Sequence, residues 1–108
     1  MPKISMPKGA LAMLILRVLQ PGPMHGYAIA QRIRQLSNDV LEAEEGSLYP
    51  ALQRIFIEGW VTAEWGASET GRRVRFYKLT RDGRRRLDHE LNEYASATAA
   101  IRAILETA

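Results

Sequence analysis

The sequence has 108 residues, which is enough for one small domain and little more. An apolar fraction of 46% and a charged fraction of 25% are ordinary for a globular chain, and the absence of cysteine excludes disulfides, thiolate metal sites and cysteine nucleophiles. His25 and His89 lie in unrelated segments, and His25 has no carboxylate at ligand spacing, so we expect no metal and no other cofactor.

The net charge of +3 says little about partners, but the charge is unevenly distributed. Residues 72–86 contain eight basic residues and one acidic residue, whereas residues 39–45 contain four acids and no base. This asymmetry predicts one basic surface. The longest apolar run, residues 9–16, is too short to cross a bilayer, and Lys3 and Lys8 do not make it a convincing secretory signal. We therefore expect a cytoplasmic protein without membrane contact.

The first predicted helix is apolar on almost every side. Its main stripe consists of Leu11, Leu14, Ile15, Val18 and Leu19 at helical spacing. The Pro-Gly-Pro at residues 21–23 ends it. Met13 and Leu16 lie on its other sides, which a small domain cannot bury alone, so we predict that they contact a partner subunit.

The second helix is predicted from about residue 25 to residue 36, with Ile29, Ile33 and Leu36 as its buried stripe. The polar residues 37–39 then form a turn.

The third helix is predicted to begin near residue 46, with Pro50 in its first turn, and to end at Gly59, a residue suited to the left-handed position after a helix. The inward positions are Leu48, Leu52 and Ile55. The outward positions are Ser47, Pro50, Gln53, Arg54 and Ile57, with Tyr49 at the border.

Residues 60–65 and 73–79 have the composition of two strands joined by a turn, which predicts a β-hairpin. Alternation predicts one buried face with Val74 and Phe76. The other face, predicted to be basic, carries Arg73, Arg75 and Tyr77. The two tryptophans are read as hairpin core in preference to an effector pocket.

Thr80 is a good N-cap for a last helix that continues to the end of the chain. A heptad seam runs along it through Leu87, Leu91, Tyr94, Thr98, Ile101 and Leu105. The seam could pack on the first helix of the same chain, but surplus apolar surface on both helices favours a symmetric homodimer. The predicted organisation is a DNA-binding unit, residues 1–80, and a dimerisation helix, residues 81–108.

The outward face of the third helix has the chemistry to read a major groove. Gln53 can pair with adenine and Arg54 with guanine, while Ser47 and Tyr49 can contact the backbone. An ordinary solvent-exposed helix face would carry similar residues, so the prediction of DNA contact also depends on the basic hairpin. The hairpin can neutralise phosphates through Arg72, Arg73 and Arg75. The alternative is that these charges only keep the strand soluble.

His25 and Tyr27 lie where the first helix of a helix-turn-helix meets the DNA backbone, although Tyr27 could equally be core. No nucleophile or base is placed to act with His25, so we do not expect an enzyme.

These segments resemble the PadR family of bacterial transcriptional regulators. The resemblance rests on Gly22-Pro23-Met24-His25-Gly26-Tyr27, Glu45-Gly46-Ser47-Leu48-Tyr49-Pro50-Ala51-Leu52, Glu64-Trp65-Gly66, Gly71-Arg72-Arg73, Tyr77-Lys78-Leu79-Thr80 and Gly83. It implies a mainly α fold with a small β-hairpin, a winged helix-turn-helix followed by a single dimerisation helix. Some short relatives bind planar drugs through a tryptophan on the last helix. That helix has no tryptophan here, so no drug site is implied and any small-molecule effector is left open.

The leading hypothesis is a homodimeric transcriptional repressor that binds double-stranded DNA at a palindromic site. The alternative is a winged helix that docks a protein partner without specific DNA binding, which the salt dependence of binding would distinguish.

Overall fold

The computed structural model describes residue 6 and residues 9–107, so Lys3 and Lys8 lie outside the described residues. The elements in chain order are α1 (Ala10–Val18), β1 (Met24–His25), α2 (Gly26–Leu36), α3 (Glu45–Ile57), β2 (Val61–Ala67), β3 (Arg73–Leu79) and α4 (Arg81–Leu105). Within this part of the chain, no helix is both long and apolar enough to cross a membrane.

The core forms around α1, which contacts α2, α3 and α4. Ile15 and Leu16 are fully buried and Met13 is 7% exposed. The prediction that Met13 and Leu16 contact a partner subunit is therefore wrong. The reason is that three helices of the same chain surround α1, so a helix that is apolar all round is buried within one protomer.

The helix-turn-helix consists of α2 and α3. Leu48, Leu52 and Ile55 of α3 are at most 1% exposed, which confirms the predicted inward face. In α2, Ile29 and Ile33 are buried as predicted, whereas Leu36 in the last turn is 59% exposed. Leu36 is the last residue of α2, where the chain already turns away from the core.

Two local features of α3 concern its start and its end. It begins at Glu45, so Pro50 lies in the second turn and not in the first as predicted. Because proline has no N–H, Pro50 cannot donate to the carbonyl of Gly46, which is exposed near the start of the helix. Gly59 follows the helix with a φ of +80°, which confirms its predicted left-handed conformation.

The hairpin is part of a three-stranded antiparallel sheet with the order β1-β3-β2. The two-residue strand β1 was not predicted, because so short a segment has no periodicity. The prediction that Tyr77 lies on an exposed basic face of β3 is wrong, although Arg73 on the same face is exposed near the tip. Tyr77 and Leu79 are buried in the core, whereas Val74 and Phe76 on the opposite face are only half-buried.

The base of the hairpin is tied to α4 by Thr80. Its hydroxyl donates to the carbonyl of Gly59 at 2.7 Å and accepts the N–H of Gly83 at 3.0 Å, which confirms the predicted N-cap. Gly83 lies so close to the segment that joins α3 to β2 that a Cβ there would overlap the carbonyl oxygen of Trp60. The start of α4 is therefore held against the end of α3.

The heptad seam divides into two parts along α4. Leu87 is fully buried, so it belongs to the core of the protomer, and its assignment to a dimer contact is wrong because it packs in the same cluster as α1. Beyond it, Leu91, Tyr94, Ile101 and Leu105 are 40%, 56%, 56% and 78% exposed. The predicted boundary between residues 80 and 81 falls between β3 and α4, although the first turns of α4 share the core.

Replacing Gly83 with alanine should destabilise the fold by about 1–3 kcal/mol despite the better helix propensity of alanine, because backbone must move to admit the methyl group. Urea unfolding followed by circular dichroism measures this change. Gly46→Ala is the matched control, since a Cβ at Gly46 meets nothing within 4 Å. Equal stability of Gly83→Ala and wild type would contradict the close packing.

Candidate nucleic-acid interface

The outward face of α3 consists of side chains with little contact to the rest of the chain. Ser47, Pro50, Gln53 and Arg54 are exposed, and Tyr49 is 48% exposed. These residues were predicted as DNA contacts, and the fold presents them together on one side of a helix whose other side is anchored in the core. A rigid helix with exposed polar side chains is the element that a major groove admits.

The start of α2 lies against α3 at Tyr49. Gly26 is buried, and a Cβ there would come within 3.2 Å of the Tyr49 ring. A glycine at this position therefore lets the start of α2 approach Tyr49 closely. The contact brings the beginnings of the two helices to the same surface.

His25 and Tyr27 differ in their surroundings at this surface. The Nδ1 atom of His25 accepts the N–H of Ala28 at 3.3 Å and so caps α2, while its ring packs edge-on against Phe76 at 5.5 Å. Tyr27 is 65% exposed, which excludes the alternative that it is core, and its hydroxyl accepts a hydrogen bond from Gln31. Of the two, Tyr27 has the side chain more accessible to a partner.

The tip of the wing, the hairpin formed by β2 and β3, is closed by hydrogen bonds. The Ser68 N–H donates to the Arg72 carbonyl at 2.8 Å, and the Arg72 N–H donates to the Ser68 hydroxyl at 3.2 Å. Gly71 has a φ of +82°, a left-handed conformation that suits glycine. Arg72 is exposed directly after this turn, so it projects from a defined tip.

Arginines on the wing stack on aromatic rings, which the sequence did not reveal. The guanidinium carbon of Arg73 lies 4.5 Å from the centre of the Trp65 ring. Arg75 lies over Phe56 of α3 at 5.1 Å and within 6 Å of Trp65 and Tyr77. Trp65 is 60% exposed, so its assignment to the hairpin core is wrong. Alternation along β3 places Arg73 and Arg75 on one face, but only the register, which pairs Trp65 with Arg75, brings the tryptophan to them.

Burial raises the pKa of the Tyr77 phenol, and the nearby Arg75 opposes this shift. Tyr77 therefore stays neutral at physiological pH. A neutral Tyr77 places no negative charge beside Arg75.

The basic residues at the start of α4 are partly engaged within the chain. Arg85 pairs with Asp82 at 3.3 Å. Arg86 pairs with Glu90 and lies over the ring of Trp60 at 4.8 Å. On the wing, by contrast, Arg73 and Arg75 are stacked on aromatic rings, and no ion pair described for the chain joins a wing arginine to an acid.

Known proteins share both the sequence pattern and this fold. Residues 15–89 match the sequence model of the Transcriptional regulator PadR-like family. A transcriptional regulator from Clostridium thermocellum is 25% identical, with a TM-score of 0.84 over 92% of this chain and 96% of that one.

Two further solved structures belong to regulators of the same family. One, from Eggerthella lenta, is 27% identical, with a TM-score of 0.78 over 94% of this chain and 86% of that one. The other, from Clostridium difficile, is 26% identical, with a TM-score of 0.76 over 90% of this chain and 99% of that one. The winged helix with a long C-terminal helix is thus confirmed, and the chain belongs to the PadR-like family of transcriptional regulators.

Proposed function

We propose that this chain is a sequence-specific DNA-binding repressor that acts as a homodimer on a palindromic operator. The observation that supports it most directly is the exposed polar face of α3 beside a wing rich in arginine. Family membership implies DNA binding, and the surroundings of individual side chains suggest how the work is divided between them.

The proposed reading element is α3. Gln53 and Arg54 lie on its exposed face, and they have the donors and acceptors that pair with adenine and guanine edges. Ser47 and Pro50 are small and lie nearer the start of the helix, which allows close approach to the duplex. Tyr49 and Tyr27 lie at the border, where they are suited to backbone contacts.

The proposed backbone contacts come from the wing tip. Arg72 and Arg73 are exposed on the side of the hairpin that follows the turn. Their charges can displace counterions from the phosphates irrespective of base sequence. Such contacts set the register of α3 on the duplex and add affinity without discrimination.

The dimer is proposed from the second half of α4. Leu91, Tyr94, Ile101 and Leu105 share one side of the helix, and in the described part of the chain they remain exposed. Thr98, at the same seam, is half-buried. A helix with such a stripe is stabilised by pairing with a second copy, and a twofold dimer matches two half-sites related by symmetry. A dimer bound across a promoter blocks access to it, which favours repression.

The experiment is fluorescence-anisotropy binding to the duplex upstream of the chain's own gene and to a scrambled duplex of equal length, across a salt series. We expect tighter binding to the native duplex, with one dimer per site. If neither duplex binds and an apolar protein partner binds independently of salt, the protein-docking alternative replaces DNA binding.

Arg54→Ala should remove about 1–3 kcal/mol of discrimination between the preferred operator and scrambled DNA, because a paired base loses its partner. The operator is the sequence that wild type selects from a randomised pool. Arg102→Ala is the matched control, since Arg102 lies in the last turn of α4, about 30 Å along the helix from its start. If Arg54→Ala kept the wild-type ratio of affinities for operator and scrambled DNA, base reading by this residue would be contradicted.

Arg72→Ala should weaken binding to operator and scrambled DNA equally. It should also lower the salt slope by about 0.9 per protomer, because one phosphate would no longer be neutralised by an arginine. Titrations at four or more salt concentrations give the slope. An effect confined to the operator would instead assign Arg72 to base reading.

Ile101→Glu should weaken the dimer by about 3 kcal/mol, about a hundredfold in Kd, because an unpaired charge would be buried in the interface. Sedimentation velocity at several concentrations measures this change. Ser96→Glu introduces the same charge at an exposed position, on the opposite side of α4 by the helical repeat, and should leave the dimer intact. If the two variants had the same dimer Kd, the seam would not be the dimer interface.

A further inference from the structure

The innermost arginine of the wing, Arg75, differs from its neighbours in what surrounds it. Arg72 and Arg73 are exposed, whereas Arg75 is half-buried. Its guanidinium carbon lies 5.1 Å from the ring centre of Phe56, 5.7 Å from that of Tyr77 and 5.8 Å from that of Trp65. The aromatic cage, defined as Phe56, Trp65 and Tyr77, thus places rings from three different elements around the Arg75 guanidinium, and of these rings Trp65 is also contacted by Arg73, at 4.5 Å.

The strand register explains how the cage forms. Trp65 of β2 is paired directly with Arg75 of β3, so the two side chains leave the sheet on the same face. Tyr77 follows two residues later on that face and is buried at the base of the wing. Phe56 completes the cage from α3, where it is 37% exposed. The cage therefore bridges the reading helix and the wing.

The chemistry of the cage favours a guanidinium that stays in place. A cation near an aromatic face is attracted by the ring quadrupole, and this attraction is stronger when the cation is partly shielded from water. Guanidinium is planar and weakly hydrated, so it can stack on more than one ring. If Arg75 reached out to a phosphate, it would give up its stacking on all three rings.

We infer that Arg75 is a positioning residue that holds the wing against α3 through the aromatic cage, and that it does not bind phosphate. The inference rests on the proposed function in one respect, namely that α3 and the wing contact the same duplex. It makes Trp65 and Phe56 determinants of DNA affinity although neither needs to touch DNA. Arg72, and the exposed Arg73, which stacks on Trp65 alone, are left as the phosphate contacts.

The test compares Arg75→Lys and Arg75→Gln with wild type in binding to a duplex of random sequence across a salt series. Lysine keeps the charge and would serve a phosphate, but its hydrated ammonium cannot stack on several rings. We expect both variants to bind about three- to tenfold more weakly, with the salt slope of wild type. Wild-type affinity of Arg75→Lys, or a slope lowered by about 0.9 per protomer in Arg75→Gln, would overturn the inference.

A second comparison uses Phe56→Leu alone and combined with Arg75→Gln, because Phe56 stacks on Arg75 whereas Trp65 also stacks on Arg73. Because both changes open the same cage, we expect each single variant to lose a similar affinity and the double variant to lose little more. All titrations are made at a temperature where circular dichroism shows every variant fully folded, so lower stability alone does not change the affinity. Fully additive losses would mean that Arg75 and Phe56 act separately, which contradicts the cage.

Amide hydrogen exchange of the free protein tests the cage without DNA. Arg75→Gln should speed exchange in the outer halves of β2 and β3 by about three- to tenfold and leave α1 unchanged, since the cage joins the outer part of the wing to α3. If wild type binds no duplex, the proposed function fails while this measurement still decides the positioning role. Unchanged exchange in the wing would overturn it.

Discussion

Enclosure of α1 by the other three helices is the packing on which the rest of the structure depends. Two residues of this helix, Ile15 and Leu16, and its C-terminal cap Leu19 are each at most 1% exposed. The helices α2, α3 and α4 all contact α1. This packing fixes the inward face of α3 and therefore determines which side chains face outward. It also fixes the start of α4, whose Leu87 is buried in the same core. The outward face of α3 and the exposed stripe of α4 thus both depend on the burial of a single helix.

Periodicity and local chemistry predicted much of this from sequence. The inward triad of α3, the left-handed Gly59 and the Thr80 cap all follow from patterns within a few residues. The features that could not be predicted involve distant segments. Alternation shows that Val74 and Tyr77 lie on opposite faces of β3, but only the position of the helices decides which face is covered. The apolar α1 was likewise predicted to contact a second subunit, because the sequence does not show that three helices of the same chain cover it.

In the candidate site, too, features set by neighbouring residues were predicted and features set by distant segments were not. The outward set on α3 was predicted because helical spacing defines a face. The surroundings of the wing arginines were not predicted, since the cage joins residues of α3, β2 and β3. Sequence composition treats Arg72, Arg73 and Arg75 as one basic cluster, yet only Arg75 is half-buried among three rings. Equal charge in a sequence therefore does not imply an equal role in binding.

The hydroxyl of Thr80 has a consequence for which operators a dimer could accept. By bonding to both Gly59 and Gly83, it ties the end of α3 to the start of α4 and leaves little freedom between them. In the proposed dimer, the distance between the two α3 helices is then set by how the two α4 helices cross. One base pair inserted between half-sites rotates one of them by about 34°. If the α4 crossing is fixed, the two α3 helices of the proposed dimer keep one separation and one relative rotation, so half-site spacing would itself determine which operators bind.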